Sequence, residues 1–156
     1  MSKKALLPLV LVGLLVSAAH GEPANHAASY ATPAVVQAAT GLDLGAPSKA
    51  GPDLKSPNPL WISDVTYIGS ENRVTVHINR WTNSKDSQDM HNRKKKDSVK
   101  EPCKDLAPDA AFFSKPAGAL EVLHGNCDML VVVQRGSTFV QTAEVKLARS
   151  VLKQLK

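Results

Sequence analysis

The chain has few aromatic residues and few cysteines. Phe, Trp and Tyr make up 4% of its 156 residues, and Cys occurs twice. With so few rings, a core has to be built from Val, Leu, Ile and Ala. Two cysteines exclude a disulfide-dense mini-scaffold and a four-thiolate zinc site. The length excludes a TIM barrel, and no repeat of solenoid period runs through the sequence. Gly-x-Ser-x-Gly, His-Glu-x-x-His, a phosphate loop and a dinucleotide fingerprint are all missing. The carboxylates Asp64, Glu71, Asp105, Asp109, Glu121, Asp128 and Glu144 are scattered, with no spaced pair of the glycosidase kind. These absences point away from an enzyme and from any cofactor.

The one long apolar run lies at the start. Lys3 and Lys4 precede a nearly unbroken apolar stretch from Leu6 to Val16, and Ser17, Ala18 and Ala19 follow. Ala19-His20-Gly21 puts small residues at both positions a signal peptidase reads. Residues 1–21 are therefore predicted to be a cleaved signal peptide, with cleavage after Ala18 as the alternative. A retained anchor is the competing reading, but the run is shorter than the roughly 20 apolar residues a bilayer needs. The expected location is periplasmic or secreted, with no stable membrane insertion after cleavage. The chain carries 19 Lys and Arg against 14 Asp and Glu. Most of this surplus survives the loss of Lys3 and Lys4, yet it is too modest to demand an anionic partner. The basic residues lack interleaved aromatics, so no nucleic acid is expected.

Residues 22–59 read as a flexible Pro/Ala-rich tether. Pro23, Pro33, Pro47, Pro52, Pro57 and Pro59 punctuate it, and its apolar residues are mostly small. Within it, Thr32-Pro33 predicts the start of a short helix that Gly41 ends, read as a local helix in a linker.

Residues 60–156 read as a single α+β domain. Its expected form is a small antiparallel sheet of about four strands, with a C-terminal amphipathic helix packed on it and one disulfide. Leu60 to Ile68 is rich in β-formers, and Gly69-Ser70-Glu71-Asn72 is a turn signal. Val74, Val76 and Ile78 alternate with Thr75, His77 and Asn79, so the two runs predict a hairpin. Residues 82–101 are polar and read as a mobile charged loop. Asp105 or Pro108 opens a predicted helix through Phe112, and Ala119 to Leu123 reads as helix or strand. Met129 to Val133 predicts a strand buried on both faces, and Thr138 to Ala143 predicts another. Leu147, Ala148, Val151, Leu152 and Leu155 form one helical stripe.

In an exported chain, Cys103 and Cys127 are expected to form a disulfide. Closing that loop would contribute about 3 kcal/mol. The competing reading joins His124 to the two thiols as metal ligands, but there is no Cys-x-x-Cys. His77 reads as a residue on a solvent-facing strand side. Met90-His91, with His20 and His26 elsewhere, is too sparse to predict copper binding. Arg93-Lys94-Lys95-Lys96 is the densest charge cluster and the candidate partner-binding site.

Together these features predict an exported, non-enzymatic module that binds another envelope or secreted protein. The foremost form is an accessory subunit of a bacterial secretion, conjugation or surface-assembly system, because a tether lets a domain reach its partner. The alternatives are a periplasmic inhibitor or immunity protein that plugs an enzyme, and a small-ligand or metal binder using His77, His91 or His124. A small hydrolase of cell-wall polymer is the least supported.

Overall fold

The structure is a computed structural model and describes residues 25–97, 99–106, 110–115 and 118–155. The predicted signal peptide lies outside these residues, as do Pro108 and Asp109. In chain order the elements are α1 (His26–Tyr30), α2 (Pro33–Thr40), β1 (Leu54–Lys55), β2 (Trp61–Ile68), β3 (Asn72–Arg80), α3 (Ser84–Asp97), β4 (Val99–Pro102), β5 (Ala111–Lys115), β6 (Ala119–His124), β7 (Cys127–Arg135), β8 (Thr138–Phe139) and α4 (Gln141–Leu152). The fold is mixed α+β with an antiparallel sheet and a C-terminal helix. Among the described residues the sheet has 8 strands, in the order β1-β2-β3-β7-β6-β5-β4 with β8 beside β7, where about four were expected. The additional strands come partly from the segment read as a broken helix. Phe112 and Phe113 are strand residues there, with Phe113 opposite Leu120.

The predicted hairpin is β2–β3, with Val65 opposite Val76 and Tyr67 opposite Val74. β7 lies on the other side of β3, with Val131 opposite Val76 and Val133 opposite Val74. Alternation puts Val65, Tyr67, Val74, Val76, Val131 and Val133 on one face, all fully buried. Small β-branched side chains fill this layer where aromatics are scarce. β7 was expected to be buried on both faces, but Leu130 and Val132 are only half-buried.

What covers the apolar face corrects the tether. Ala27, Ala31, Val36 and Ala39 join the core, with Leu147, Ala148 and Val151 of α4. Asn25 caps α1 by accepting from the Ala28 amide, and its side-chain amide donates to the Asp64 carbonyl at 2.8 Å. Thr32 and Gly41 bound α2 as predicted, with Gly41 at φ 72°. Instead of fraying, α2 packs against α4. The Tyr67 hydroxyl donates to the Ala31 carbonyl, and the Arg135 guanidinium donates to the Thr40 carbonyl. Farther along, Lys49 bridges to Thr66 at the edge of β2. Small alanines bury little surface each, but they let two short helices lie close against a sheet and against α4. The described part of 22–59 is thus a docked arm of the domain.

The disulfide is also corrected: Cys103 and Cys127 are free thiols, both buried. Cys103 follows β4 and its amide bonds to the Ala111 carbonyl, whereas Cys127 opens β7. Strands β5 and β6 lie between them. Three inter-strand steps of about 4.8 Å each exceed the Cα separation of about 7 Å that a disulfide tolerates.

Candidate functional site

The polar face of the sheet is where the chemistry gathers, beneath α3. Residues 84–97 were read as part of a mobile loop, and they form a helix of 14 residues. Its start is local: Asn83 Oδ1 accepts from the Asp86 amide at 2.9 Å. Asp86 sits in the first turn and Lys94, Lys95 and Lys96 in the last, the polarity a helix dipole favours. Ser87, His91 and Lys94 fall at i, i+4 and i+7, a helical stripe built of polar residues. The Ser87 hydroxyl donates to the Gly125 carbonyl at 2.9 Å. The His91 ring is buried, with its centroid 5.1 Å from that of Phe112.

Lys94 closes the stripe. Its Nζ donates to Glu121 Oε2 of β6 at 3.0 Å and to Asp128 Oδ2 of β7 at 2.7 Å. Asp128 is 1% exposed. Trp81 Nε1 donates to its other oxygen at 2.5 Å, and Asn79 Nδ2 reaches Oδ2 at 3.4 Å. One cation thus faces two carboxylates in a largely dry site. Burial opposes the Lys94 charge, but Glu121 and Asp128 outweigh it and hold the ammonium above its ordinary value. For Glu121 burial wins over Lys94, so its carboxyl is pushed up.

The four residues of the predicted contact cluster therefore divide. Lys94 turns into the sheet, while Arg93, Lys95 and Lys96 are exposed. Arg93 also lines a cavity of about 300 Å³ with Asn58, Trp81, Asp86, Asp89 and Met90. Met90 faces that cavity and His91 faces Phe112, so the Met-His pair is split between two surroundings.

The remaining histidines are placed apart. His77 lies on the same polar face, its Nδ1 2.6 Å from Asp64 Oδ1. His26 pairs with Asp53 and stacks on Trp61, with ring centroids 4.2 Å apart and planes 2° from parallel. It fastens the arm to the sheet. His124 ends β6 on the surface, and His20 is outside the described residues. Among the described residues, no three His, Cys, Asp or Glu side chains gather to hold a metal ion. Cys127 accepts from Arg80 Nη1 at 3.4 Å, and burial pushes its thiol above the usual range.

Trp81, Asn79, Glu121 and Asp128 were not singled out as a unit by the sequence. The readable signal was the 87–91–94 stripe. It passes unnoticed when a helix is sought only through apolar residues.

Compared with protein-family models, with curated proteins and with solved structures, the chain matches none.

Proposed function

We propose that the protein is an exported, non-enzymatic module that binds another envelope or secreted protein, with the outer face of α3 as its contact surface. The observation that carries this reading is the division of the basic cluster. Lys94 anchors the helix to Glu121 and Asp128, and Arg93, Lys95 and Lys96 stand outward on a helix held in place. A partner then meets cations already ordered, which lowers the entropy cost of association. Such exposed charges act more on encounter rate than on final affinity. The fitting partner presents an acidic surface.

An accessory subunit of a bacterial envelope assembly system, periplasmic or secreted, remains the form we propose first. The docked arm removes the tether as a ground for preferring it. A domain whose described arm is docked suits an inhibitor or immunity protein seated on an enzyme as well, and this is the second reading.

The test is crosslinking capture from native envelope with the wild-type protein and with R93E/K95E/K96E. Lys94 is left intact so that the helix stays anchored. One stoichiometric partner captured by the wild type and lost in the variant is the expected result. Equal capture by both would remove α3 from the account.

A further inference from the structure

β7 changes partners partway along its length. Leu120 of β6 lies opposite Val131, whereas β8 pairs farther on, with Phe139 opposite Gln134. Between the start of β6 and the end of β8 the sheet edge splits. The backbone groups at the split are satisfied from α4 and the residue that precedes it: Glu144 Oε1 accepts from the Val133 amide at 3.0 Å, and the Val140 amide donates to the Val133 carbonyl at 2.8 Å. The split opens into a groove of about 810 Å³. Phe113, Gly118, Phe139 and Val140 give it an apolar body, and Lys115, Ser114 and Thr142 are among its polar lining. Gly118 shapes it. At φ +59° it carries no Cβ, and one built there would stand 2.2 Å from the Phe139 ring. The ring therefore lies flush against the backbone and leaves the groove open.

Lys115 is the only ionisable residue among the described lining residues. Its contact with Glu101 spans 3.4 Å, with both side chains more than half exposed. An exposed pair of this kind contributes little, so the ammonium exchanges readily to another anion. We infer that this groove binds a free medium-chain fatty acid, with the chain along Phe113 and Phe139 and the carboxylate at Lys115. The volume lies within the roughly 300–1,000 Å³ of small-molecule sites. A cation held only by an exposed, exchangeable pair beside an apolar groove favours a ligand with one negative end. This site is separate from the α3 face, and either reading stands without the other.

Calorimetric titration with decanoate below its micelle concentration tests the inference, using protein purified after expression of the full chain. Decylammonium and decanol are the cationic and neutral matches. Decanoate is expected to bind one site per chain, with both matches weaker. Lys115→Gln should weaken decanoate about fivefold, the value of one exposed ionic contact. Thr142→Trp, at an exposed helix position, should fill the groove and abolish binding while circular dichroism stays native. Any of three results overturns the inference. The first is no decanoate binding by natively folded protein. The second is equal affinity for the three decyl compounds. The third is decanoate binding untouched by both substitutions. Flotation with anionic phospholipid vesicles, without binding of free decanoate, would make the ligand a membrane surface and overturn it as well.

Discussion

Lys94 on α3 donates to Asp128 on β7 across 2.7 Å, and the same ammonium reaches Glu121 on β6. This single side chain fixes a helix of low hydrophobicity to two neighbouring strands. It also compensates two carboxylates that are 9% and 1% exposed.

Replacing Lys94 by Met leaves those carboxylates facing each other without a cation. Removing one partner of a buried ion pair costs about 3–5 kcal/mol. Urea denaturation of Lys94→Met should show a loss of that size, with faster amide exchange across α3. Adding Glu121→Gln and Asp128→Asn should return most of it, because the uncompensated charge is then gone. A loss under about 1 kcal/mol, the value of an exposed pair, would mean that α3 is held by something else.

The docked arm makes a second prediction. Tyr67 is fully buried and its hydroxyl donates to the Ala31 carbonyl. Tyr67→Phe leaves that carbonyl without its donor, at a cost of about 1–3 kcal/mol. The fall should appear in the global unfolding midpoint, since α1 and α2 share the core with α4. A variant with unchanged stability would return the arm to the status of a loose leader.

What the sequence revealed and what it hid follow from the kind of contact each segment makes. Val74, Val76 and Ile78 alternate against polar neighbours, and the period of two placed the hairpin, while the continuous apolar run Met129 to Val133 placed β7. Thr32-Pro33 and Gly41 bounded α2 to the residue, because caps act through local backbone geometry. The docking of α2 was hidden, since Ala and Val at low density look the same in a linker and in a tightly packed helix. α3 was hidden for the opposite reason. Its inward stripe is Ser87, His91 and Lys94, whose value depends on Glu121, Phe112 and Asp128, which lie far along the chain. β4, β5 and β6 were obscured by Pro and Gly punctuation and by alanines that suit either helix or strand. The pairing of Cys103 with Cys127 failed on topology alone, which compartment arguments do not see.

The thiols give a third prediction. Both cysteines are 1% exposed, and β5 and β6 separate them. Denatured without reductant in the presence of iodoacetamide, each chain should carry two carbamidomethyl groups by mass spectrometry. In the native state both should react slowly, because both thiols are buried, and at Cys127 burial also raises the pKa and so lowers the thiolate fraction. An unmodified chain, oxidised by two hydrogens, would require β5 and β6 to sit differently from the order described.

Glu144 makes the last prediction. It is fully buried in the first turn of α4. One carboxyl oxygen accepts from the Val133 amide, and the other has no hydrogen-bond partner among the described residues. Burial raises its pKa to about 7 from an ordinary 4.5, with the Val133 amide opposing. Between those two values the folded chain keeps a proton that the unfolded chain has released. Stability therefore falls as pH rises through this window. The contribution is fully present below about pH 4.5, is lost by about pH 7, and amounts to about 3 kcal/mol at 1.36 kcal/mol per unit. Other groups titrate in the same range, so the informative quantity is the stability difference between wild type and Glu144→Gln. Gln keeps an oxygen for the Val133 amide and does not ionise. Measured by urea denaturation at steps from pH 4.5 to 8, the wild type should lose about 3 kcal/mol relative to the variant and then level off. Parallel curves would mean that the carboxyl titrates at its ordinary value, and that α4 holds the split in the sheet without a protonated side chain.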